Sequence, residues 1–292
     1  MLRQSLDSPN GEMVGCTVSV THDKQKNSDH FFNLFYKLFD VIHADTPALI
    51  DEAHRIRYKV FCLENEGYED ASVHKNGMEK DEFDERAEHA LLVYKPEDLL
   101  IGTVRIIKPD PDNWQHSFPL QDLCNSPFLQ DEELVKKSCE VSRFCISNEL
   151  REIMKDRLRL REKFTSKTTL THSASDDITP AEFSLINRAL AMAPIGLMRG
   201  MCEAVMQHDI LNYFAIMEPR HLKAYMKPSG VIFEEIGPKM DYHGMRVPFM
   251  GNILDTYDNM MGTKPDIWRI MTFDGENHRR ALELNKANST YH

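Results

Sequence analysis

The sequence lacks the short motifs that mark common cofactor-binding and hydrolytic sites. It contains no G-x-G-x-x-G, no Walker loop and no G-x-S-x-G, so it indicates neither a dinucleotide site nor a nucleophile elbow. Its 13 histidines include no pair spaced four residues apart beside a glutamate, which gives a zinc site no support. We therefore predict no metal and no permanently bound cofactor.

Cysteines are few and unpaired in the sequence. The six lie at positions 16, 62, 124, 139, 145 and 202, without a C-x-x-C pair. In a chain of 292 residues this pattern predicts reduced thiols rather than a disulfide framework. Cys62, Cys139 and Cys145 could be nucleophiles, but their apolar surroundings favour inert core positions.

Long apolar runs are also absent. No stretch approaches the roughly 18 residues that a membrane-spanning helix needs, and residues 1–29 are polar, without the apolar core of a secretion signal. The sequence thus predicts a cytoplasmic protein with a flexible N-terminus at 1–29. Residues 31–39 carry four phenylalanines at helical spacing. They predict a helix packed on the core, with peripheral membrane contact as the alternative.

Positive charge is scarce. The chain has 35 basic and 46 acidic residues, a net charge of −11, which argues against a nucleic-acid partner. The exception is the window 151–167, where seven basic residues face three acidic ones. This window is either a solvated helix or loop, or a docking patch for an acidic partner that uses Arg157, Arg159 and Arg161.

Hydrophobic periodicity predicts an α/β (α+β) fold, a sheet covered by helices. Helices are expected over 47–64 and 182–207, the second kinked at Pro194. Strands are expected over 39–44, 89–94, 99–107, 139–146, 211–217 and 231–236. We predict one domain over 30–272 with a charged insertion at 148–180, followed by a polar tail at 273–292.

Charged residues recur beside the predicted helix and strands in a fixed order. Taken singly, the acids are typical of a solvated loop and the arginines of surface positions. Charges beside a core, however, cost several kcal/mol unless they are paired or functional. Their joint order favours one site distributed along the fold. The residues are Arg57, Glu79, Asp81, Asp84, Arg105, Glu140 and Arg143.

These residues give the chain a resemblance to a known family. Four segments have the spacing of the acyl-homoserine lactone autoinducer synthases, over roughly residues 40–147. They are Arg57-Tyr-Lys-Val-Phe61, Glu79-Lys-Asp81-Glu-Phe-Asp84, Gly102-Thr-Val-Arg105 and Glu140-Val-Ser-Arg143-Phe. The resemblance extends to the N-acyl amino acid synthases and the PEP-CTERM/exosortase-associated acyltransferases. It implies a GNAT-like acyltransferase fold with a mixed, splayed central sheet.

Departures from the family pattern distinguish its branches. The family's tryptophan would fall at Gly67, before Tyr68, and the C-terminal half carries Gly237-Pro238 and a Tyr-His-Gly-Met-Arg-Val-Pro segment at 242–248. These features and the charged insertion resemble the N-acyl amino acid branch. The implied function is transfer of a medium or long fatty acyl chain to the amine of an amino-acid-like acceptor. The alternatives are an acyl-homoserine lactone synthase that uses S-adenosylmethionine, and a non-catalytic acyl-binding or regulatory module.

The resemblance also assigns roles. Glu140 is the candidate base that takes the amine proton. Arg143 is the second catalytic candidate, although its spacing turns it to the opposite face of the strand unless a bulge intervenes. The acids are expected to hold the acceptor amine, with the arginines orienting the acids or binding the acceptor carboxylate. The predicted substrate-binding residues are Arg57, Phe61, Glu79, Asp81, Asp84 and Arg105.

The absence of one further motif, the acyl-CoA-binding turn, indicates the acyl donor. GNAT enzymes that use acyl-CoA carry a Gln/Arg-x-x-Gly-x-Gly/Ala turn, which this chain does not keep intact. The resemblance therefore favours an acyl-phosphopantetheine thioester on an acyl-carrier protein over acyl-CoA, and an acidic carrier protein would match the basic window. Apolar residues of 182–207 and of the C-terminal strands are expected to line the acyl tunnel.

Overall fold

Eight strands form one mixed sheet in the part of the chain that the computed structural model describes, residues 15–65, 68–153, 155–156, 159 and 180–290. The strands are β1 (Phe39–His43), β2 (Ala87–Tyr94), β3 (Leu99–Ile107), β4 (Ser138–Ile146), β5 (Asn212–Met217), β6 (Glu234–Glu235), β7 (Met240–Asp241) and β8 (Met245–Asn252). Hydrogen-bonded neighbours follow the order β1-β2-β3-β4-β5-β8-β6, and β7 also pairs with β8. Strands β4 and β5 run parallel, and all other pairs are antiparallel.

Helices cover both faces of this sheet, which confirms the predicted fold class. They are α1 (Gly15–Leu38), α2 (Pro47–Tyr58), α3 (Pro119–Leu123), α4 (Glu132–Lys136), α5 (Pro180–Ala191), α6 (Ala193–Gln207), α7 (219–229), α8 (Ile253–Thr263), α9 (Pro265–Thr272) and α10 (Glu276–Thr290). Helix α7 contains a π-helical turn at Leu222–Met226. The strand expected over 231–236 is only the two residues of β6.

Helix α1 is longer than the sequence predicts. It begins at Gly15, so part of the segment expected to be flexible, 1–29, is helical. Asp29 forms an ion pair with Arg269 of α9, 240 residues away, a contact that local periodicity cannot reveal. Three phenylalanines of 31–39 (Phe31, Phe35 and Phe39) are about 1% exposed. They belong to the main core, which supports core packing over the membrane contact.

Helix α2 presents the first arginine to the sheet. It starts with Thr46, whose hydroxyl accepts a hydrogen bond from the Leu49 N–H at 3.3 Å, and with Pro47 in its first turn. A π-helical turn, Lys59–Glu64, continues α2 and ends at the loop that carries Glu79, Asp81 and Asp84. That loop returns beneath α2 in short 3₁₀ turns, which places the acidic residues against the helix.

Helices α5 and α6 form the predicted kinked pair. The break lies at Met192, because Pro194 in the first turn of α6 cannot continue the preceding hydrogen-bond ladder. Two glycines let α6 lie close to the sheet: a Cβ on Gly200 would stand 2.2 Å from Cγ1 of Val41. No single described helix has the length and apolar character to cross a membrane, although α5 and α6 meet those criteria as a bent pair.

The C-terminal segment is helical rather than frayed. Within the predicted polar tail, α10 has a buried side with Asn277, His278 and Ala281. The Asn277 amide donates to Glu203 of α6 at 2.8 Å, and Arg280 donates to the Met206 carbonyl at 3.1 Å. Composition alone predicts a solvated tail, since so few apolar residues make this contact.

Candidate functional site

The sheet opens between its two parallel strands. Pairing of β4 with β5 ends at Val141 and Ala215, so beyond these residues the β4 backbone borders a cleft. On the other side of β4, the register with β3 shifts and Arg143 has a φ of 52°. This bulge keeps Arg143 from turning to the opposite face, and its guanidinium lies on the Glu140 side of the sheet. The conditional expectation of a bulge is therefore confirmed.

A cavity of about 870 Å³ passes through this opening, a size typical of small-molecule sites. On the side of α6 it has an apolar arm, and on the side of α3 a polar arm. The apolar arm is lined by Leu190, Met198, Met201, Cys202, Tyr213, Ile253 and Met271. The polar arm is lined by Tyr68, Glu140, Ser142, Arg143, Glu218 and Arg246. Residues of 182–207 thus line the cavity, and their role as an acyl tunnel stays a prediction.

Glu140 lies where the two arms meet and is 1% exposed. Its Oε2 accepts one hydrogen bond, from the backbone N–H of Leu120 at 2.9 Å. Burial raises the pKa of this carboxyl to about 7, against the opposing effects of the Leu120 N–H and of Arg105 and Arg143. A carboxylate with such a pKa can both accept and release a proton at neutral pH, as a general base must.

Behind the polar arm lies a buried ion-pair cluster of three arginines and three acids: Arg57, Glu79, Asp81, Asp84, Arg105 and Arg143. Arg57 binds both oxygens of Asp84 at 2.5 and 3.0 Å and donates its Nε–H to Glu79 at 2.5 Å. Arg105 donates to Asp81 at 2.5 Å. Arg143 pairs with Glu79 at 3.0 Å and with Asp81 at 3.4 Å.

The mutual pairing of these charges sets the protonation of Glu79 and Asp84. Burial opposes ionisation of Glu79, but Arg143 and Arg57 together lower its pKa to about 2. The pKa of Asp84 also lies well below its usual range, because the neighbouring His54 and the hydrogen-bonded Arg57 outweigh burial. Glu79 and Asp84 therefore stay ionised at neutral pH and hold the arginines in place.

This placement corrects the predicted substrate contacts. Arg57 and Arg105 are 0% exposed and Glu79 is 1% exposed, and none of the three acids lines the cavity. Acids already bound by guanidinium groups cannot also hold an acceptor amine without losing those bonds. Glu79 and Asp81 instead hold Arg143, and Asp84 holds Arg57 and Arg105. Three of the predicted site residues, Phe61, Arg105 and Arg143, line the cavity.

Two histidines that the sequence does not single out complete the rear of this cluster. The Nε2 atoms of His54 and His89 lie 3.7 and 3.5 Å from Asp84, and the three side chains could together hold a metal ion by distance. Burial, followed by the charge of Arg57, lowers the pKa of His89 to about 3. Because Arg57 already binds both Asp84 oxygens, a cation here would meet a guanidinium, and the electrostatics disfavour it.

An aromatic stack forms one wall of the polar arm. Tyr68 lies between Phe61 and His243, with ring centroids 5.0 and 4.9 Å away and planes inclined by 24° and 20°. His243 belongs to the hairpin of β7 and β8, and its Nδ1 lies 2.9 Å from the Tyr68 carbonyl oxygen. Arg246 of the same hairpin lies 5.8 Å from the Tyr68 ring. From the sequence, residues 242–248 indicate only a branch of the family; His243-Gly244, both with positive φ, is the local signal that could have identified this turn.

The thiols and the basic window complete the predicted set. Of the three predicted core thiols, Cys139 and Cys145 are buried, and burial raises the pKa of Cys145 to about 12 and that of Cys139 well above its usual value. Cys62 is only half-buried, which differs from the predicted core position, although burial followed by the charge of Glu79 raises its pKa to about 11. Of the predicted docking residues, Arg157 and Arg161 lie outside the described residues. Arg159 is exposed and pairs with Asp156 at 3.0 Å.

Comparison with known proteins gives one family match and several solved structures of similar fold and low sequence identity. The acyl-homoserine lactone synthase LasI is 15% identical, covering 77% of this chain and 95% of its own, with a TM-score of 0.48. FeeM, an N-acyl amino acid synthase from uncultured soil microbes, is 16% identical over 76% and 95%, with a TM-score of 0.42. The CoA-dependent synthase MesI is 14% identical over 80% and 93%, with a TM-score of 0.45.

No curated protein matches the sequence significantly. The family match covers residues 56–160. This segment begins on α2 and contains the whole ion-pair cluster, the bulge of β4 and the buried Glu140. Residues 56–160 of this chain match the acetyltransferase (GNAT) domain.

Proposed function

We propose that this chain is an N-acyltransferase that moves a medium or long fatty acyl chain from a thioester to the amine of an amino-acid-like acceptor. The observation that carries the proposal is the position of Glu140. Its carboxyl, with a pKa raised to about 7, lies between an apolar arm suited to an acyl chain and a polar arm suited to an amine. Transfer needs all three of these elements at one point.

The proposed reaction uses the residues as follows. The acceptor nitrogen attacks the thioester carbonyl, the C–N bond forms, and Glu140 takes the amine proton directly or through water. The C–S bond then breaks, and the departing thiolate takes a proton. Backbone N–H groups of β4 beyond Val141, where pairing with β5 has ended, are suited to stabilise the oxyanion. The ion-pair cluster keeps Arg143 and the bulge rigid.

A carrier protein is the proposed donor, and α7 offers it a docking surface. Residues 219–229 include three basic side chains, Arg220, Lys223 and Lys227, and no acid. All three are exposed, and α7 forms part of the cavity rim through Ala224 and Tyr225. An acidic carrier protein bound there would direct its phosphopantetheine arm into the cavity. In this proposal, α7 takes the docking role that was predicted for the window 151–167.

The test combines Glu140→Gln with mass spectrometry of lipid extracts from cells that express either protein. We expect new N-acyl amino acids with the unaltered chain and a loss of about 10²–10⁴-fold in transfer rate with the variant. Homoserine lactones would instead indicate an autoinducer synthase. A protein that binds acyl thioesters equally well with either residue, and forms no product, would be a non-catalytic acyl-binding module.

A further inference from the structure

The polar arm contains an arginine whose hydrogen-bonding capacity is only partly used. Arg246 is 6% exposed, and its described polar contacts are made by Nη1, to Glu218 at 2.9 Å and to the Met245 carbonyl at 3.4 Å. Among the described residues, no partner accepts from Nε or Nη2. An arginine presents its donors in a planar fork that matches a carboxylate, so half of this fork is available to a ligand in the cavity.

The acids near Arg246 do not balance its charge. Glu218 is shared, because Arg220 also pairs with it. Glu69 lies at 3.7 Å from both Arg143 and His243. Glu64, which also lines the cavity, accepts a hydrogen bond from the Asn148 N–H at 2.9 Å. A nearly buried guanidinium with half a counterion is costly unless a ligand supplies negative charge.

The surroundings hold Arg246 in one place. The hairpin that carries it pairs Met240 with Arg246, and His243 at its turn stacks on Tyr68, which stacks in turn on Phe61. The stack therefore ties the position of Arg246 to the helix that supplies Arg57. A rigid, directed donor at the end of a polar arm is typical of an orienting group in a small-molecule site.

We infer that Arg246 binds a carboxylate of the acceptor while Glu140 accepts the proton of the acceptor's amine. The inference rests on the proposed function and narrows the acceptor to an amine that carries a free carboxylate. The product would then be an N-acyl amino acid, with its alkyl chain in the apolar arm and its carboxylate at Arg246. Arg246 acts as a specificity-determining residue and takes no part in the proton transfer.

The test measures binding of product mimics, because these probes occupy both arms and require no knowledge of the natural acceptor. N-dodecanoylglycine, N-dodecanoyl-β-alanine and 4-(dodecanoylamino)butanoate place the carboxylate at increasing distances from the amide. Each is compared with its own carboxamide by isothermal titration calorimetry below the micelle concentration. At least one acid should bind about tenfold or more tightly than its carboxamide, since a charge-assisted pair is lost in the amide.

Arg246→Met should bring that ratio close to one while leaving carboxamide affinity unchanged. Arg279→Met is the control, because Arg279 is an exposed residue of α10 that does not line the cavity, and it should keep the preference for the acid. If Arg246→Met unfolds, the double variant Arg246→Met/Glu218→Gln, which also removes the charge of the acid that loses one of its two arginine partners, replaces it in the assay.

The outcomes separate this inference from the proposed function. Equal binding of acids and carboxamides by the unaltered protein, or a preference that survives Arg246→Met, would overturn the role of Arg246 and leave acyl transfer standing. If neither acids nor carboxamides bind, the proposed function fails together with the inference. An acid preference that Arg246→Met abolishes and Arg279→Met retains would establish it.

Discussion

At the scale of single residues, the fold holds Glu140 in a costly state. A fully buried carboxyl with one backbone hydrogen bond resists ionisation, and its raised pKa reports that resistance. Arg105 and Arg143 relieve it only in part, because the acids of the ion-pair cluster already engage them. The cluster therefore holds these arginines in place without fully offsetting the burial of Glu140.

The first prediction concerns the pH dependence of activity. Calculated on the unprotonated acceptor amine, kcat/KM should rise tenfold per pH unit below the pKa of Glu140, about 7, and level off above it. Calculated on total acceptor, deprotonation of the amine contributes a further tenfold per pH unit up to the amine's own, higher pKa, so the slope changes near pH 7. Steady-state kinetics between pH 5.5 and 9 would check this, and a profile without a bend near 7 would exclude Glu140 as the base.

The same pKa predicts a change in stability. Because the folded-state pKa is raised from 4.5 to about 7, Glu140 costs the fold nothing below pH 4.5, and the cost grows as the pH rises towards 7. Glu140→Gln should therefore raise the free energy of unfolding by up to about 3 kcal/mol at pH 8. At pH 4.5 the two proteins should be equal. Urea unfolding at both pH values measures the difference, and a variant that is less stable at pH 8 would contradict it.

The ion-pair cluster gives a third residue-scale prediction. Arg57→Met leaves Glu79 and Asp84 buried with one strong partner fewer, so the free energy of unfolding should fall by about 3–5 kcal/mol. Arg55→Met is the control: it lies on the same helix, pairs with Glu52 and has a side chain 49% exposed. Its effect should stay within about 0.5 kcal/mol. Equal losses in urea unfolding for the two variants would refute the structural role of Arg57.

At the scale of elements, the close packing of α6 on β1 and β2 positions the apolar arm. A Cβ on Gly200 would lie 2.2 Å from Val41 and 3.0 Å from Ala90, shorter than any van der Waals contact. The glycine is thus required by proximity rather than by backbone conformation. A shift of α6 would move Met198, Met201 and Cys202, which line the apolar arm.

Gly200→Ala should therefore destabilise the protein by about 1–3 kcal/mol, despite the better helix propensity of alanine. The control is Gly262→Ala in α8, where an added Cβ meets nothing within 4 Å. That change should be neutral or stabilise by up to about 1 kcal/mol. Thermal unfolding of both variants decides the matter. A stable Gly200→Ala protein would mean that α6 can move away from the sheet at little cost.

Element prediction from the sequence succeeded where the signal was local. The strands β2, β3 and β4 and the kink at Pro194 follow from apolar patterns and from proline chemistry. The bulge at Arg143 could be predicted only conditionally, because no residue type there requires a positive φ. The helicity of residues 15–29 and of α10 was missed, since it depends on partners such as Arg269 and Glu203 that lie far away in the chain.

The candidate site was predicted by residue but not by role. The order of Arg57, Arg105 and the acids correctly indicated that they meet. Which of them contact a substrate depends on burial, and burial is a property of the completed fold. Arg246 and His243 were invisible as site residues, because the hairpin reaches the Tyr68 wall from about 175 residues further along the chain.

At the scale of the whole molecule, a chain with a net charge of −11 has a locally basic surface at the rim of its cavity. Acidic carrier proteins would be repelled by most of the surface and attracted to α7. Such a field affects encounter more than the chemistry that follows. The donor should therefore bind with a marked salt dependence.

The double variant Lys223→Glu/Lys227→Glu should raise the KM for an acyl-carrier protein about tenfold or more at low salt, with little change in kcat. Activity with a short acyl-pantetheine donor, which has no protein surface to dock, should be unchanged. Arg279→Glu/Lys286→Glu on α10 makes the same change in charge at exposed positions and serves as the control. Equal KM values for the two double variants would remove the docking role of α7.

The stack of Phe61, Tyr68 and His243 has a consequence for how this protein can diversify. The buried carboxyl of Glu140 and the ion-pair cluster come from residues 57–143, whereas one wall of the polar arm comes from a tight hairpin at 240–246. Replacements in the hairpin alter that wall without changing any residue of the cluster. Under the proposed function, selection can therefore change the acceptor by replacing residues of this short turn, while the buried charges stay constant.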